Sequence, residues 1–422
     1  MFLFPGMIGS RKEMKTIEQT VTIKVHLKLH DAADSDKLWQ VMVQYMRACN
    51  VVSQYIFDHE FELKATHLHK KLYHHLRDQY HLKSQLTNSV VRTVIANYKT
   101  VKTQLKQKPY HYWQEQKQGK KKLLTVKRDL SWLWYALRYR RPQADLQRNR
   151  DWSVTRNGDL SVNTLTGRIK VTPIYQGLEQ YLDGTWKLGV AKLIKSGHKW
   201  YLHIAVTKNF PELDIANSQN IVGIDRGLRF LATTYDQKEQ VNFFSGQDII
   251  RKRRKFKNLR AKLQAKGTKS AHRRLKKIGQ RENRWMTTIN HQLSKTLVHQ
   301  FGSNALFVLE DLTNVRNSTE KSPKANRYER VSWAFFQLEQ FLTYKAQMMG
   351  SAVVKVAPDY TSQRCPKCTL IRKENRDHYT HEYQCSRCHY RSNDDRIGAM
   401  NIQWLGQQYQ AGVKRPKLTV AG

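Results

Sequence analysis

Acidic residues are the scarce class in this chain: 34 Asp and Glu stand against 74 Lys and Arg in 422 residues, a formal charge of +40. An imbalance of this size costs folding stability through self-repulsion, and it persists where a polyanion supplies the missing charge. Long apolar runs are also absent. No stretch approaches the ~20 residues a membrane span needs, and no amphipathic anchor or lipidation signal accompanies the cations. Nucleic acid, with no membrane, is therefore the expected partner. Cysteine is sparse, with five residues, four of them in two C-x-x-C pairs. That is the arithmetic of a metal site rather than a disulfide framework, and it suits a reducing cytosol. The fifth, Cys49, lies in an apolar helical stretch and reads as a small core residue. The opening Met1–Gly6 is apolar but too short and wrongly flanked for a secretory signal. Met14 opens a cleaner pattern, so residues 1–13 read as a start-site extension. With 40% apolar and 26% charged residues the chain is globular in composition, long enough for one large core or two to three smaller ones.

What is present divides by period. Ile17, Val21, Ile23, Val25, Leu27 and Leu29 alternate with polar residues, which predicts a strand over 17–29. Helical spacing takes over at Leu38, Val41, Met42, Tyr45 and Met46 after an expected Asp34/Ser35 cap. Two further helices are predicted, over His67–Tyr80 and through Val90, Val94, Tyr98, Val101 and Leu105. Between about 106 and 150 rings and cations interleave: Tyr110, Tyr112, Trp113, Lys120 to Lys122, Lys127, Arg128, Trp132, Trp134, Arg138, Arg140, Arg141. This mixture suits base stacking with phosphate contact, while a packed helix over Trp132–Leu137 with a solvated basic flank is the plainer alternative. Strand patterns return over 152–208, with turns at Asn157-Gly158 and Asp183-Gly184 and a clear strand over Lys199–Val206. Residues 209–220 read as a linker.

The scarce acids then fall at telling places. Ile221-Val-Gly-Ile-Asp225 is a buried strand ending in a carboxylate, and Ala305-Leu-Phe-Val-Leu-Glu310-Asp311 repeats the pattern. A third cluster, Asn393-Asp394-Asp395-Arg396, opens a helix. Acids at strand ends are common turn residues. An ordered set of three in so basic a chain instead suits a phosphodiesterase that holds magnesium between hard oxygen ligands. Glu310 is preferred over Asp311 because it ends the strand directly; Asp394 and Asp395 both remain candidates on spacing alone. Cys365-Pro-Lys-Cys368 and Cys385-Ser-Arg-Cys388, sixteen residues apart, predict a structural zinc ribbon. His378, His381 and His389 lie nearby and read as surface residues. From Arg251 to Arg284 there are sixteen Lys and Arg and one acid, Glu282. A solvated helical hairpin would explain the spacing but not the uncompensated charge. Arg251, Lys252, Arg253, Arg254, Lys255, Lys257, Arg260, Arg273, Arg274, Lys276 and Lys277 are therefore the expected nucleic-acid contacts.

The ordered set Gly223-Ile-Asp225-Arg-Gly227, Leu309-Glu310-Asp311-Leu312, Thr361-Ser-Gln-Arg-Cys365-Pro-Lys-Cys368, Cys385-Ser-Arg-Cys388 and Asp394-Asp395-Arg396-Ile-Gly-Ala-Met-Asn401-Ile402 resembles the TnpB family. These are transposon-encoded RNA-guided DNA nucleases related to the miniature type V CRISPR effectors. The resemblance implies an α+β multidomain chain. A β-barrel wedge domain would span 14–34 and 150–208, with a helical recognition insertion over 35–149 and a linker over 209–220. An RNase H-fold, RuvC-like α/β nuclease domain would span 221–360 and 390–408, with a zinc ribbon inserted over 361–389 and a tail over 409–422. It further implies Asp225, Glu310 and Asp395 as catalytic magnesium ligands, and Cys365, Cys368, Cys385 and Cys388 as zinc ligands in a target-nucleic-acid-binding module. The partners would be guide RNA and double-stranded target DNA, the chemistry two-metal phosphodiester hydrolysis, and the place of action the cytoplasm. Where many relatives carry Asn-Ala-Ala after the last Asp-Arg, this chain has Ile397-Gly398-Ala399. A small CRISPR effector, a transposase using the same acids, and a non-cutting nucleic-acid-binding regulator are the alternatives.

Overall fold

The computed structural model describes residues 15–115, 121–312, 335–377 and 379–419. The 1–13 extension and His378 lie outside the described residues. Thr20–Lys208 forms one compact unit, and a second is built from Asn209 onward together with the described residues up to Gln19.

In the first unit the alternation of β1 (Thr16–Lys28) buries Ile23, Val25 and Leu27 on one face. Helices α1 (Ala32–Asp58), α2 (Ala65–Tyr80) and α3 (Ser84–Gln107) follow. The α1 cap is Asp31, whose carboxylate accepts from the Ala33 N–H at 3.0 Å, earlier than the expected Asp34/Ser35. Asp31 is the residue held in extended backbone with a short acceptor side chain, and that is what a cap requires. Tyr45, Ser53 and Tyr98 link α1 to α3 by hydroxyl contacts within an apolar seam.

The basic-aromatic stretch is not helical. It forms a hairpin, β2 (Tyr110–Glu115) and β3 (Lys121–Val126), and then a single 3-10 turn at Leu130–Trp132. The short β4 (Ala144–Leu146) lies inside the block expected to be helical, yet it pairs with β8 (Lys187–Ser196). With β5 (Trp152–Val154), β6 (Leu160–Asn163), β7 (Arg168–Ile174) and β9 (Lys199–Pro211), they give a seven-stranded sheet in the order β4-β8-β9-β1-β7-β6-β5. Its edge strands follow one another in the chain, and Arg148 bridges to Trp152 between them, so the sheet is a nearly closed barrel. Trp152 is fully buried inside it.

The second unit has a five-stranded sheet in the order β12-β11-β10-β13-β14, from β10 (Asn220–Asp225), β11 (Phe230–Tyr235), β12 (Val241–Ser245), β13 (Ala305–Glu310) and β14 (Ala352–Val356). β10, β11 and β12 are antiparallel, whereas β10, β13 and β14 run parallel. The parallel strands are near-continuous apolar runs because both faces are covered. One face packs on α5 (Lys269–Phe301) and α6 (Phe335–Met348), the other on α7 (Asp394–Gln410). α4 (Gln247–Lys266) and α5 make the basic helical hairpin, turning at Gly267 in left-handed backbone (φ 62°). Between β14 and α7 lies a small three-stranded sheet, β15 (Arg376–Asp377), β16 (Glu382–Gln384) and β17 (Arg391–Asn393).

Two boundaries differ from the expectation. Residues 209–220 are ordered: β9 runs to Pro211, a 3-10 turn occupies Ile215–Asn217, and β10 starts at Asn220. The expected tail begins inside α7, and Leu418 is buried against Ile221, Leu306 and Ile402. Among the described residues no helix is long and apolar enough to cross a membrane.

Candidate metal centre and nucleic-acid interface

Asp225 and Glu310 end adjacent parallel strands. Ile224 is in register with Leu309, so the two acids emerge side by side from the same sheet edge. Asp395 arrives from a third element, the first turn of α7. Asn393 caps this helix by accepting from the Asp395 and Arg396 N–H groups at 3.0 and 3.2 Å. Acids in a first helical turn are also favoured by the helix dipole.

The close seat of α7 on β10 depends on glycine at two positions. A Cβ at Gly223 would lie 2.2 Å from the Ala399 carbonyl oxygen, and one at Gly398 would lie 2.5 Å from Asp225 Oδ2. The Ile397-Gly398-Ala399 sequence therefore brings helix backbone directly against the first carboxylate.

The electrostatics follow from this convergence. Burial first, and then the charges of Glu310 and Asp395, hold Asp225 well above the usual carboxylate range. Burial also raises Glu310, opposed by a hydrogen bond from Thr361 Oγ1 and by the cations Arg226 and Arg376. Burial and the neighbouring Asp394 raise Asp395. Asp395 Oδ2 is buried without a hydrogen-bond partner in the described structure. Such an arrangement of hard oxygen donors is costly alone and is relieved by a divalent cation.

Asp394 has a different role. It is completely buried, accepting from Arg376 Nε at 2.7 Å with His381 Nδ1 at 3.3 Å. His381 is thus an internal partner rather than a surface residue. Asp311 is about half exposed and pairs with Lys355 Nζ at 3.5 Å. Arg226 was not singled out by the sequence pattern. Its guanidinium is buried, donates to the Glu310 carbonyl oxygen at 2.6 Å and meets Glu339 Oε2 at 3.3 Å, tying β10, β13 and α6 together beside the acids. Asn401 does similar work for the loop before the cysteines: Nδ2 donates to the Thr361 and Arg364 carbonyls, both at 2.8 Å. Neither residue type has a sequence period that would have revealed these contacts.

The four cysteine sulfurs lie within 4.8 Å of one another, with Sγ separations of 3.6 Å for Cys365–Cys388 and 3.4 Å for Cys368–Cys385. Tetrahedral zinc with bonds of about 2.3 Å spaces its sulfurs about 3.8 Å apart, so the cluster could hold one such ion. The two knuckles are matched turns. Thr369 N donates to the Cys365 carbonyl and His389 N to that of Cys385, each at 3.0 Å, and each donor residue is left-handed (φ 64° and 55°). Burial pushes the Cys365 thiol up to about 12. Burial also acts to raise Cys385, but the Cys388 and Arg387 N–H groups outweigh it and bring that thiol to about 7. Cys365, Tyr383 and Cys385 share a small core with Ile397 of α7.

The eleven cations expected to meet nucleic acid divide into two sets. Arg251, Lys252, Arg254, Lys255, Arg273, Arg274, Lys276 and Lys277 are exposed on α4 and α5, and Lys257 is partly so. Arg253, however, is 2% exposed and lies 3.8 Å from Glu282 Oε1, while Arg260 also bonds to Glu282. Those two face the interior of the hairpin because Glu282 is buried there.

Comparison with known proteins places these modules. Residues 203–320 match a family model described as a probable transposase of the OrfB type, and residues 335–402 match the TNB domain of Cas12f1-like proteins. A Cas12f1 endodeoxyribonuclease of Sulfoacidibacillus thermotolerans is 28% identical over 53% of this chain and 55% of its own length. A TnpB-like protein of Methanocaldococcus jannaschii is 25% identical over 53% of this chain and 80% of its own. InsQ of Escherichia coli K12, named for a proposed RNA-guided DNA endonuclease activity, is 29% identical over 54% of this chain and 60% of its own. The chain spans about half the length of the Cas12f1 relatives it matches. A solved Cas12f1 complex with guide RNA and target DNA shares the fold at 13% identity, with a TM-score of 0.55 over 88% of this chain and 83% of that one. Two family-model matches in sequence order, TnpB-like and Cas12f1 relatives in bacteria and archaea, and a shared fold make the chain similar to proteins of the TnpB family.

Proposed function

We propose that the chain is an RNA-guided DNA endonuclease that hydrolyses phosphodiester bonds at one acidic centre made by Asp225, Glu310 and Asp395. The observation that carries this reading is the convergence of three carboxylates from β10, β13 and α7, each raised by burial, with Asp225 raised further by the charges of Glu310 and Asp395. The sheet order, antiparallel then parallel with the third acid delivered by a helix across the face, supports an RNase H-like, RuvC-type nuclease domain. The names of the Cas12f1 and InsQ relatives support the guided activity.

The three acids fit magnesium, since they are hard oxygen donors and Asp395 Oδ2 is buried without a hydrogen-bond partner. A pair of such ions would activate the attacking water and stabilise the leaving oxygen. The chain's own residues set the stage. Thr361 orients Glu310 through its hydroxyl, Arg226 fixes the end of β13, and Gly398 lets Asp225 stand against α7. The four cysteines would hold a structural zinc that folds a module too small for its own core. The exposed cations of α4 and α5 would neutralise backbone phosphates, while base pairing with the guide supplies sequence selection. The barrel unit with its helices would serve as wedge and recognition domains.

The test is cleavage of a matched duplex by purified ribonucleoprotein with Mg2+, comparing wild type with Asp225→Ala. Guide-dependent cutting abolished by the substitution is expected. Cutting without any co-purifying RNA, or cutting retained by Asp225→Ala, would sink the reading. Strand joining instead of hydrolysis would favour a transposase, which the OrfB-type model match keeps in view. Elemental analysis should find zinc in the wild type and lose it in Cys385→Ser.

A further inference from the structure

The hairpin β2–β3 is unlike the rest of the first unit, because neither of its faces is buried. All of β2 is exposed, and Trp113 reaches 65% exposure and Leu123 48%. A two-stranded hairpin without a covered face is marginal in water. The rings are ordered against one another all the same. Tyr110 stacks on Tyr112 with centroids 5.9 Å apart and lies 5.7 Å from Trp132, and the Arg128 guanidinium covers Trp132 at 5.4 Å. Just beyond this turn Trp134 is 91% exposed and Tyr135 72%. So much apolar ring surface in one short segment marks a site of contact rather than chance exposure.

The charge around the rings selects the partner. Lys108, Lys122, Lys127, Arg138, Arg140 and Arg141 are all exposed. Of the acids in this segment, Asp129 is occupied by the N–H and hydroxyl of Ser131, at 3.0 and 2.6 Å. An acidic protein would suit the cations but leave the rings without matching planar faces. A duplex would suit the cations too, yet its bases are stacked internally and offer only edges. Unpaired nucleotides satisfy both features, because bases stack on the rings while their phosphates meet the cations. We propose that the β2–β3 hairpin and the Trp132–Tyr135 segment form a stacking platform for a single-stranded stretch of bound RNA. RNA is chosen over a displaced DNA strand because apolar surface of this extent calls for a permanent cover, and only a resident strand gives one. This deepens the proposed function by naming what the basic-aromatic segment holds, and it rests on that reading for the RNA.

The experiment uses the full chain, the double variant Trp113→Ala/Trp134→Ala, and the ring-conserving Trp113→Phe/Trp134→Phe. Affinity is measured for a fluorescent single-stranded RNA, the same sequence as single-stranded DNA, and an RNA duplex, at low and high salt. The alanine variant should lose about tenfold or more on single-stranded RNA, since stacking contributes about 1–3 kcal/mol per base. The loss should persist at high salt, spare the duplex, and be restored by phenylalanine, with melting unchanged throughout. A 4-thiouridine RNA should crosslink to peptides within 110–141. Equal losses on duplex and single strand, no loss at all, or crosslinks confined to other segments would overturn the platform. A larger loss on DNA than on RNA would overturn the choice of RNA. Asp225→Ala separates the two proposals: it should abolish cleavage while leaving RNA affinity intact, so either can fail without the other.

Discussion

Arg376 Nε donates to Asp394 Oδ2 at 2.7 Å, and the carboxylate that receives it is completely buried. This bond joins the cysteine module to the first turn of α7, one residue before Asp395. His381 strengthens the joint: its carbonyl oxygen accepts from Asp394 N at 3.1 Å and Asn393 Nδ2 at 3.2 Å. Neighbouring aspartates therefore do opposite things, one binding the fold together and one left with an unpartnered oxygen.

Asp394→Ala should accordingly lower stability and Asp395→Ala should not. Removing Asp394 strands a guanidinium that is only partly exposed, a cost of about 2 kcal/mol. Thermal melting with a cleavage assay separates them. Asp395→Ala should melt at or above wild type with no cleavage, and the reverse ranking would reassign the two acids.

Asp225→Asn should raise the melting temperature of the metal-free chain while abolishing cleavage, because it removes a charge that burial and two neighbouring acids oppose. Each kcal/mol relieved corresponds to about 2–4 °C in a unit of this size. The sign of the pH effect is fixed by the raised pKa. Asp225 takes up a proton on folding at pH values between its ordinary and its raised pKa, so its contribution to metal-free stability is fully present below the ordinary carboxylate range and is lost as pH rises through the raised value. The variant should show a shallower decline, and an unchanged slope would count against the assignment.

Gly398→Ala tests the contact between α7 and Asp225. A glycine-to-alanine change inside a helix ordinarily stabilises by about 1 kcal/mol. Here the new Cβ would lie 2.5 Å from Asp225 Oδ2, so the carboxylate must move. Displacements of this size cost about tenfold to a hundredfold in rate. Cleavage at saturating Mg2+ should fall with little change in melting, and wild-type rates would show that Asp225 tolerates the shift.

Arg253 and Arg273 should behave as different kinds of cation. Arg253 is interior and near Glu282, so Glu282→Ala leaves a buried guanidinium without its carboxylate and should cost about 3 kcal/mol in stability. Arg273→Ala should leave melting alone and reduce the salt dependence of RNA binding by about one phosphate contact. Salt titrations and melting curves on both variants decide it.

Much of the architecture was legible because it depends on local period. The alternation through Val25 and Leu27 and the helical spacing of Leu38 and Val41 each bury one face, while the unbroken apolar runs ending in Asp225 and Glu310 bury both. The stretch over 106–141 was not, because rings at short intervals satisfy a hairpin and a helix equally well. The actual hairpin is fixed by the pairing of Tyr110 with Val126 and its neighbours.

The sequence by itself determined the chemistry available: three separated acids, four thiols in matched pairs, and a great excess of cations. Those are properties of residue type and spacing, which survive without knowing the fold. Only the tertiary structure joined Asp394 to Arg376, turned Arg253 and Arg260 inward toward Glu282, and placed Gly398 against Asp225. Each of those outcomes is a long-range contact, where burial removes water and leaves a charge to be met by whatever residue the fold brings beside it.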